Sequence, residues 1–302
     1  MKTLSINSRP ICKLPEKWSE LSAKQLLQIC SLTFSSPDNV SLTTQMLLLF
    51  AGLKFCQNRR PVMVDGIPHW YLKQNKIRIG LTSAEDLAFA ASPLHFIFTE
   101  HKGRKVFESK LYKNLLPVIS VGRKKLYGPD SALYNIRFAE FMRLEALYEQ
   151  FMKTGDTEIL DKLIAVLYRP RDNGNPESSP KFTGDVRIPF NDHLVDANKT
   201  IAKRMKPEYK LAVRLFYEGC RWFIFKGCKL FENAFGDAGS SDSNMPAMLE
   251  FTRLVNALSN DDASKMEQIR QTPAWDIFHQ LEAVALRKKE IEAMNHKNKR
   301  HV

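Results

Sequence analysis

Between Leu126 and Pro170 the chain reads LYGPDSALYNIRFAEFMRLEALYEQFMKTGDTEILDKLIAVLYRP, and its apolar residues return at the spacing of an α-helix. On a helical wheel Tyr134, Phe138, Phe141, Leu144, Tyr148 and Phe151 share one arc, while Asn135, Arg143, Gln150 and Lys153 lie largely opposite. The spacing predicts a helix from Ala132 to about Lys153 that must bury one stripe against another element. Thr154-Gly155-Asp156 ends it and starts a second helix, whose Ile159, Leu160, Leu163, Ile164 and Leu167 pack back as a helical hairpin. Arg137 falls inside the apolar arc, with Glu140 one turn on as its expected partner. Glu140, Glu145 and Glu149 interleave with Arg137, Arg143 and Lys153, which reads as an ion-paired helix surface.

The flanking regions divide by pattern. Near the start, Pro15 and Glu16 suit a first helical turn, followed by Leu26, Leu27, Ile29, Cys30 and Phe34 on a helix of about four turns. Thr43 to Phe55 reads as a second, largely buried helix. From Pro61 to Gly80 the period changes, and Val62 to Val64, His69 to Leu72 and Lys76 to Ile79 read as short strands of a hairpin or meander around Asp65-Gly66. Ser83-Ala84-Glu85-Asp86 marks a helix start, and Leu94 to Phe98 reads as a strand. Pro170, Gly174, Pro176, Pro180 and Gly184 punctuate a long loop from Arg169 to Asp185, read as an exposed insertion or a segment that orders on a partner. Helices are expected over about 191–205, 208–235, 246–259, 263–270 and 273–294, with a Gly-Ser linker at 236–241 and a frayed tail from His296. The expected fold is mainly α, or α+β: a basic N-terminal helical lobe with a small hairpin or meander (1–128), a helical core (129–235), and C-terminal helices completing a bundle, with a basic tail (236–302).

Charge separates the same regions. Through Gly128 there are 19 Lys and Arg against 8 Asp and Glu, and thereafter 26 against 25, within a total of +12. Lys102, Arg104, Lys105, Arg123, Lys124 and Lys125, interspersed with Phe107, Tyr112 and Tyr127, form a basic segment over 99–128 that suits a nucleic-acid contact as an alternative reading. A solvated basic face is the simpler account.

Chemistry is harder to find. No phosphate-binding loop, dinucleotide fingerprint, HExxH, GxSxG or EF-hand pattern occurs, and the seven histidines never fall at ligand spacing. Five cysteines without a CxxC pair fit reduced thiols rather than a disulfide framework or a zinc site. We therefore expect no enzyme, no cofactor and no metal. The longest apolar stretch, Leu211 to Phe235, is interrupted by Arg214, Glu218, Arg221, Lys226 and Lys229, so no membrane span is expected either. With no secretory leader pattern in Met1 to Leu14, a cytoplasmic chain is expected. The aromatic residues Trp222, Phe223 and Phe225, with Trp275 and Phe278, are the candidate partner-binding set, because aromatic side chains give large contact area for little lost entropy.

The order LPEKWSEL, LYGPDSALYNIRFAEF, YEQFMKTGD, LDKLIAVLYRP and FTRLVNALSNDDASKMEQIRQTPAWDIFHQLEAV resembles a family encoded in the tail-morphogenesis regions of phages and prophages of Bacteroidetes. Its C-terminal part is similar in style to tail assembly chaperones, helical proteins that hold tape-measure segments before the tail tube polymerises. The resemblance implies a non-enzymatic tail assembly protein in the host cytoplasm that binds an extended or helical protein partner, such as a tape-measure protein. A neck or tail structural component is the other role it implies. This chain departs from the chaperones in its length and in its basic N-terminal region.

Overall fold

The computed structural model describes residues 1–302 except 7–8, 35–38, 57–58, 102–103, 175–176, 180–181, 183, 228–246, 284–285 and 288–302. The expected linker at 236–241, the end of the 208–235 helix and the tail from His296 lie outside the described residues. The chain forms two compact units, residues 1–111 with 206–215, and residues 112–205 with 216–302.

The first unit corrects the expected fold class. It is not a helical lobe: the protein is a mixed α+β chain in which helices and several small sheets share the structure. Strands β1 (Lys2–Ile6) and β2 (Arg9–Leu14) pair antiparallel. A short 3-10 turn at Trp18–Glu20 precedes helix α1 (Ala23–Thr33), whose start is fixed by a capping box between Ser22 and Gln25. The apolar run expected as one helix to Phe55 is divided. Helix α2 (Asn39–Phe50) stops at Gly52, whose φ of +64° favours glycine, and Leu53–Phe55 becomes strand β3. Strand β5 (Ile67–Gln74) then pairs with β3, with β4 (Val62–Val64) and with β6 (Ile77–Thr82). Both hairpin turns have two positive-φ residues, Asp65-Gly66 and Asn75-Lys76, which matches the strand twist.

Helix α3 (Ala84–Ala90) begins as expected, on a Ser83/Asp86 capping box. The expected strand at Leu94 is a 3-10 segment, Ser92–Ile97, followed by the hairpin β7 (Phe98–His101) and β8 (Arg104–Phe107). Trp18 is buried edge-on against Phe96 and Phe107, at 5.6 and 5.9 Å.

In the second unit the hairpin β9 (Val118–Val121) and β10 (Lys124–Tyr127) leads into helix α4 (Phe138–Thr154). This helix starts six residues later than its periodicity suggests, because Ala132 and Leu133 take positive φ in a 3-10 turn. Gly155, at φ +66°, ends it, and Asp156 caps α5 (Thr157–Leu167). The helices α6 (Val195–Ala202), α7 (Pro207–Gly227), α8 (Ala247–Ser259), α9 (Ala263–Gln271) and α10 (274–283) follow, and the part of α7 through Leu215 belongs to the first unit. The core of the second unit is aromatic. Phe138, Phe141, Phe251 and Phe278 meet at centroid distances from 4.9 to 6.4 Å, mostly edge to face.

Candidate functional site

Two of the stretches singled out in the sequence pack against each other in the second unit. Tyr127 exchanges both backbone hydrogen bonds with Arg169, at 2.7 and 3.0 Å, which joins β10 to the segment after α5. Gly128 lies so close to Tyr168 that an added Cβ would come within 2.6 Å of its ring. The buried Tyr168 hydroxyl donates to the Leu116 carbonyl at 3.0 Å, and the Asn114 amide donates to the Pro129 carbonyl at 2.6 Å. LYGPDS and LYRP are thus two halves of one buried joint.

Beside this joint lies a cluster of four charges. Arg169 donates to both oxygens of Glu140, at 2.8 and 3.2 Å, to the carbonyls of Val166 and Ile188, and more distantly to Asp185 at 3.5 Å. Arg187, fully buried, donates to Glu140 Oε1 at 3.0 Å, to the Leu167 carbonyl at 2.7 Å, and to both oxygens of Asp185 at 2.8 Å. Burial alone would lower the Arg187 pKa, but the Glu140 and Asp185 carboxylates outweigh it and hold the group above its ordinary value. The Asp130 carboxyl is also held above its ordinary value, raised first by burial and then by the nearby Asp185 charge. A cleft of about 200 Å³ opens beside the cluster, between Arg137, Asp172, Phe190 and Gln271.

The geometry makes the cluster a clasp. Its two arginines flank the Pro- and Gly-punctuated loop, so ion pairs with Glu140 fasten both ends of that loop to α4, and hydrogen bonds to the Val166 and Leu167 carbonyls fasten them to α5. This changes the helix-surface reading. Glu140 does not pair with Arg137, whose guanidinium instead donates to the Gln271 carbonyl at 2.8 Å. Glu145 is buried as well. It accepts from the Tyr217 hydroxyl at 2.6 Å and from Arg221 at 2.6 and 3.0 Å, so α7 is fastened to α4. Only Glu149 makes the expected local pair, with Lys153. A sequence signal for the clasp did exist: arginines stand at both borders of a loop with few other large side chains.

Of the sequence-derived partner residues, Phe223, Trp275 and Phe278 meet one another through Trp275. Phe223 stacks on Tyr112 at 4.5 Å, reaches Trp275 at 6.0 Å, and Trp275 stacks on Tyr134 at 4.8 Å. The Trp275 indole N–H donates to the Ala132 carbonyl at 3.0 Å. The result is a ribbon of four rings in successive contact, half-buried along its length and 55% exposed at Tyr134. Tyr112 and Tyr134 are members that the sequence reading did not assign to it. Phe278 is fully buried in the aromatic core, below Trp275. Trp222 lies under the Lys226 ammonium and Phe225 beside the Arg221 guanidinium.

The basic segment is divided between the units. Arg104 and Lys105 lie on β8 of the first, with side chains outside those described, and Lys102 is itself outside the described residues. Arg123, Lys124 and Lys125 are exposed on the β9–β10 hairpin of the second. Among the described residues no group of three or more His, Cys, Asp or Glu side chains is placed to hold a metal, and no helix is long and apolar enough to cross a membrane.

The second unit is therefore an α+β scaffold with a clasped loop and a partly exposed aromatic ribbon. Comparison of the chain with family models, curated proteins and solved structures returned no match.

Proposed function

We propose that the chain is a non-enzymatic tail assembly protein of a phage or prophage, working in the host cytoplasm, that holds an extended or helical protein partner such as a tape-measure protein. The observation that carries this reading is the ribbon Tyr112, Phe223, Trp275 and Tyr134. Rings fixed by stacking and by the Trp275 hydrogen bond lose little freedom on binding, and they offer apolar area with a polar edge to an amphipathic helix laid along them. The resemblance of the quoted stretches to a tail-morphogenesis family supports the choice of partner.

The test is co-expression with a candidate tape-measure protein. The wild-type chain keeps that protein soluble and co-purifies with it, and Tyr134→Ala, a change at the exposed end of the ribbon, weakens recovery several-fold. Unchanged solubility of the tape-measure protein together with no co-purification overturns the reading. Mass spectrometry of purified particles separates it from a neck or tail component, since an assembly chaperone is absent from the finished virion.

A further inference from the structure

The first unit holds 18 Lys and Arg against 9 Asp and Glu, a charge of +9 out of the +12 of the whole chain. Part of it is concentrated on one face of the four-stranded sheet. Lys54 of β3 lies opposite Lys73 of β5, and Lys73 lies opposite Arg78 of β6 on its other side. Laterally paired residues share a face, so the three cations make a row across strands spaced about 4.8 Å apart. That row depends on a bulge. Leu72 faces Gly80 but Lys73 faces Arg78, so the register slips by one residue; in an unbroken ladder Ile79 would stand opposite Lys73.

Tyr71, two residues before Lys73, belongs to the same face. The Arg78 guanidinium lies 3.9 Å from the centre of its ring and that of Arg59 lies 5.4 Å from it. Lys54, Arg59 and Arg78 are exposed and Lys73 is half-buried. None of the four forms an ion pair with a carboxylate of the described residues. Like charges directly opposite one another destabilise a sheet, and here the Tyr71 ring rather than a carboxylate of the described residues faces the guanidiniums.

We propose that this face binds a single strand of nucleic acid. Lys54 and Lys73 meet successive phosphates, and Arg78, held against Tyr71, presents its fork to a phosphate and its outer plane to a base. A guanidinium already oriented by an aromatic ring loses less freedom on binding than a free one. Two other polyanions fit less well. An anionic bilayer would meet the apex of the β4–β5 hairpin, where Val62, Val64 and Ile67 are exposed, but that apex carries Asp65. An acidic protein surface would use the fork of Arg78 and leave its plane idle. The proposal is independent of the aromatic ribbon and uses no residue of the 99–128 segment.

The experiment is fluorescence anisotropy of a labelled single-stranded 20-mer DNA or RNA, titrated with the full chain across a salt series. Each phosphate contact on a single strand contributes about 0.7 to the slope of log K against log salt, so the triple variant Lys54→Gln, Lys73→Gln, Arg78→Gln lowers that slope by about 2 and weakens binding at least tenfold. Arg78→Lys alone, which keeps the charge and removes the plane, weakens binding several-fold at an unchanged slope. Neutralising Arg123, Lys124 and Lys125 leaves the slope where it was. The triple variant melts no lower than wild type, because repulsion across the row is relieved. If it does not fold, Lys73→Gln and Arg78→Lys carry the test singly. Wild-type affinity retained in these variants, no binding of the oligonucleotide at low salt, or equal binding to polyglutamate or to phosphatidylserine vesicles would each overturn the proposal.

Discussion

Replacing Glu140 by Gln tests the clasp most directly, because the new side chain keeps the shape and removes the charge. Glu140 is buried and accepts three hydrogen bonds from two guanidinium groups that are themselves buried. Each attraction is worth about 4 kcal/mol at a separation near 4 Å and an effective dielectric of about 20. The pair of them sets a gross upper value, and relief of the desolvation of Glu140 itself returns a good part of it. Removal of one partner from a buried ion pair costs about 3–5 kcal/mol, because the remaining charges stay buried. Here Asp185 alone would face both arginines, and the new amide N–H groups would point at Arg169 Nη2, which is also a donor.

For a unit of this size about 2–4 °C of melting temperature corresponds to 1 kcal/mol, so the second unit should melt roughly 6–20 °C lower. Hydrogen exchange read by mass spectrometry follows that unit separately, and the loop between Arg169 and Arg187 should lose protection first. Lys153→Gln, which breaks only the exposed pair with Glu149, should change stability by about 0.5 kcal/mol or less. If Glu140→Gln melts and exchanges like wild type while Lys153→Gln does the same, the clasp carries no energy and the argument fails.

Other consequences follow from burial. Cys30 and Cys220 are fully buried, and burial pushes the Cys30 thiol up to about 12, so native alkylation at pH 8 should modify Cys12 and Cys56 and reach Cys30 and Cys220 only on unfolding; peptide mass spectrometry reads the order. Tyr168 and Tyr217 are both held far above the ordinary phenol range by burial, Tyr217 also by Glu145. Their folded pKa values lie above the unfolded ones, so their contribution to stability is complete below about pH 10 and is lost as pH rises toward the folded values. In an absorbance titration the Tyr168 and Tyr217 phenols should therefore ionise only as the protein unfolds, and native-state ionisation of either near pH 10 would refute this. Tyr217→Phe removes a buried hydrogen bond to a carboxylate and should cost about 1.5–3 kcal/mol in urea unfolding. Ser83→Ala removes the cap of α3 and should cost about 1 kcal/mol, seen as faster exchange of its first turn.

The chain's local pattern determined several elements by itself. The apolar arc of Phe138, Phe141, Leu144 and Phe151 specifies α4, Ser83 and Asp86 specify the start of α3, and Asp65-Gly66 specifies a hairpin, because each rests on residues within a few positions of one another. The N-terminal region shows where that reading stops. An apolar run through Phe55 looks helical, yet Leu53–Phe55 is a strand because Gly52 turns the chain and β5 supplies the partner. The strands β1, β2, β9 and β10 are short, and their pairing rather than their composition makes them strands.

The same limit governs the sites. Trp222, Phe223, Phe225 and Trp275 were legible as aromatic residues, but joining Trp275 to Ala132 spans 143 positions of chain. The partners of Glu140 and Glu145 lie 47 and 76 residues away in Arg187 and Arg221. Helical periodicity reports which face of an element must be buried. Which charge meets which, and whether a carboxylate faces water or two buried guanidiniums, is set by loop closure and packing between distant elements, and only the tertiary structure decides it.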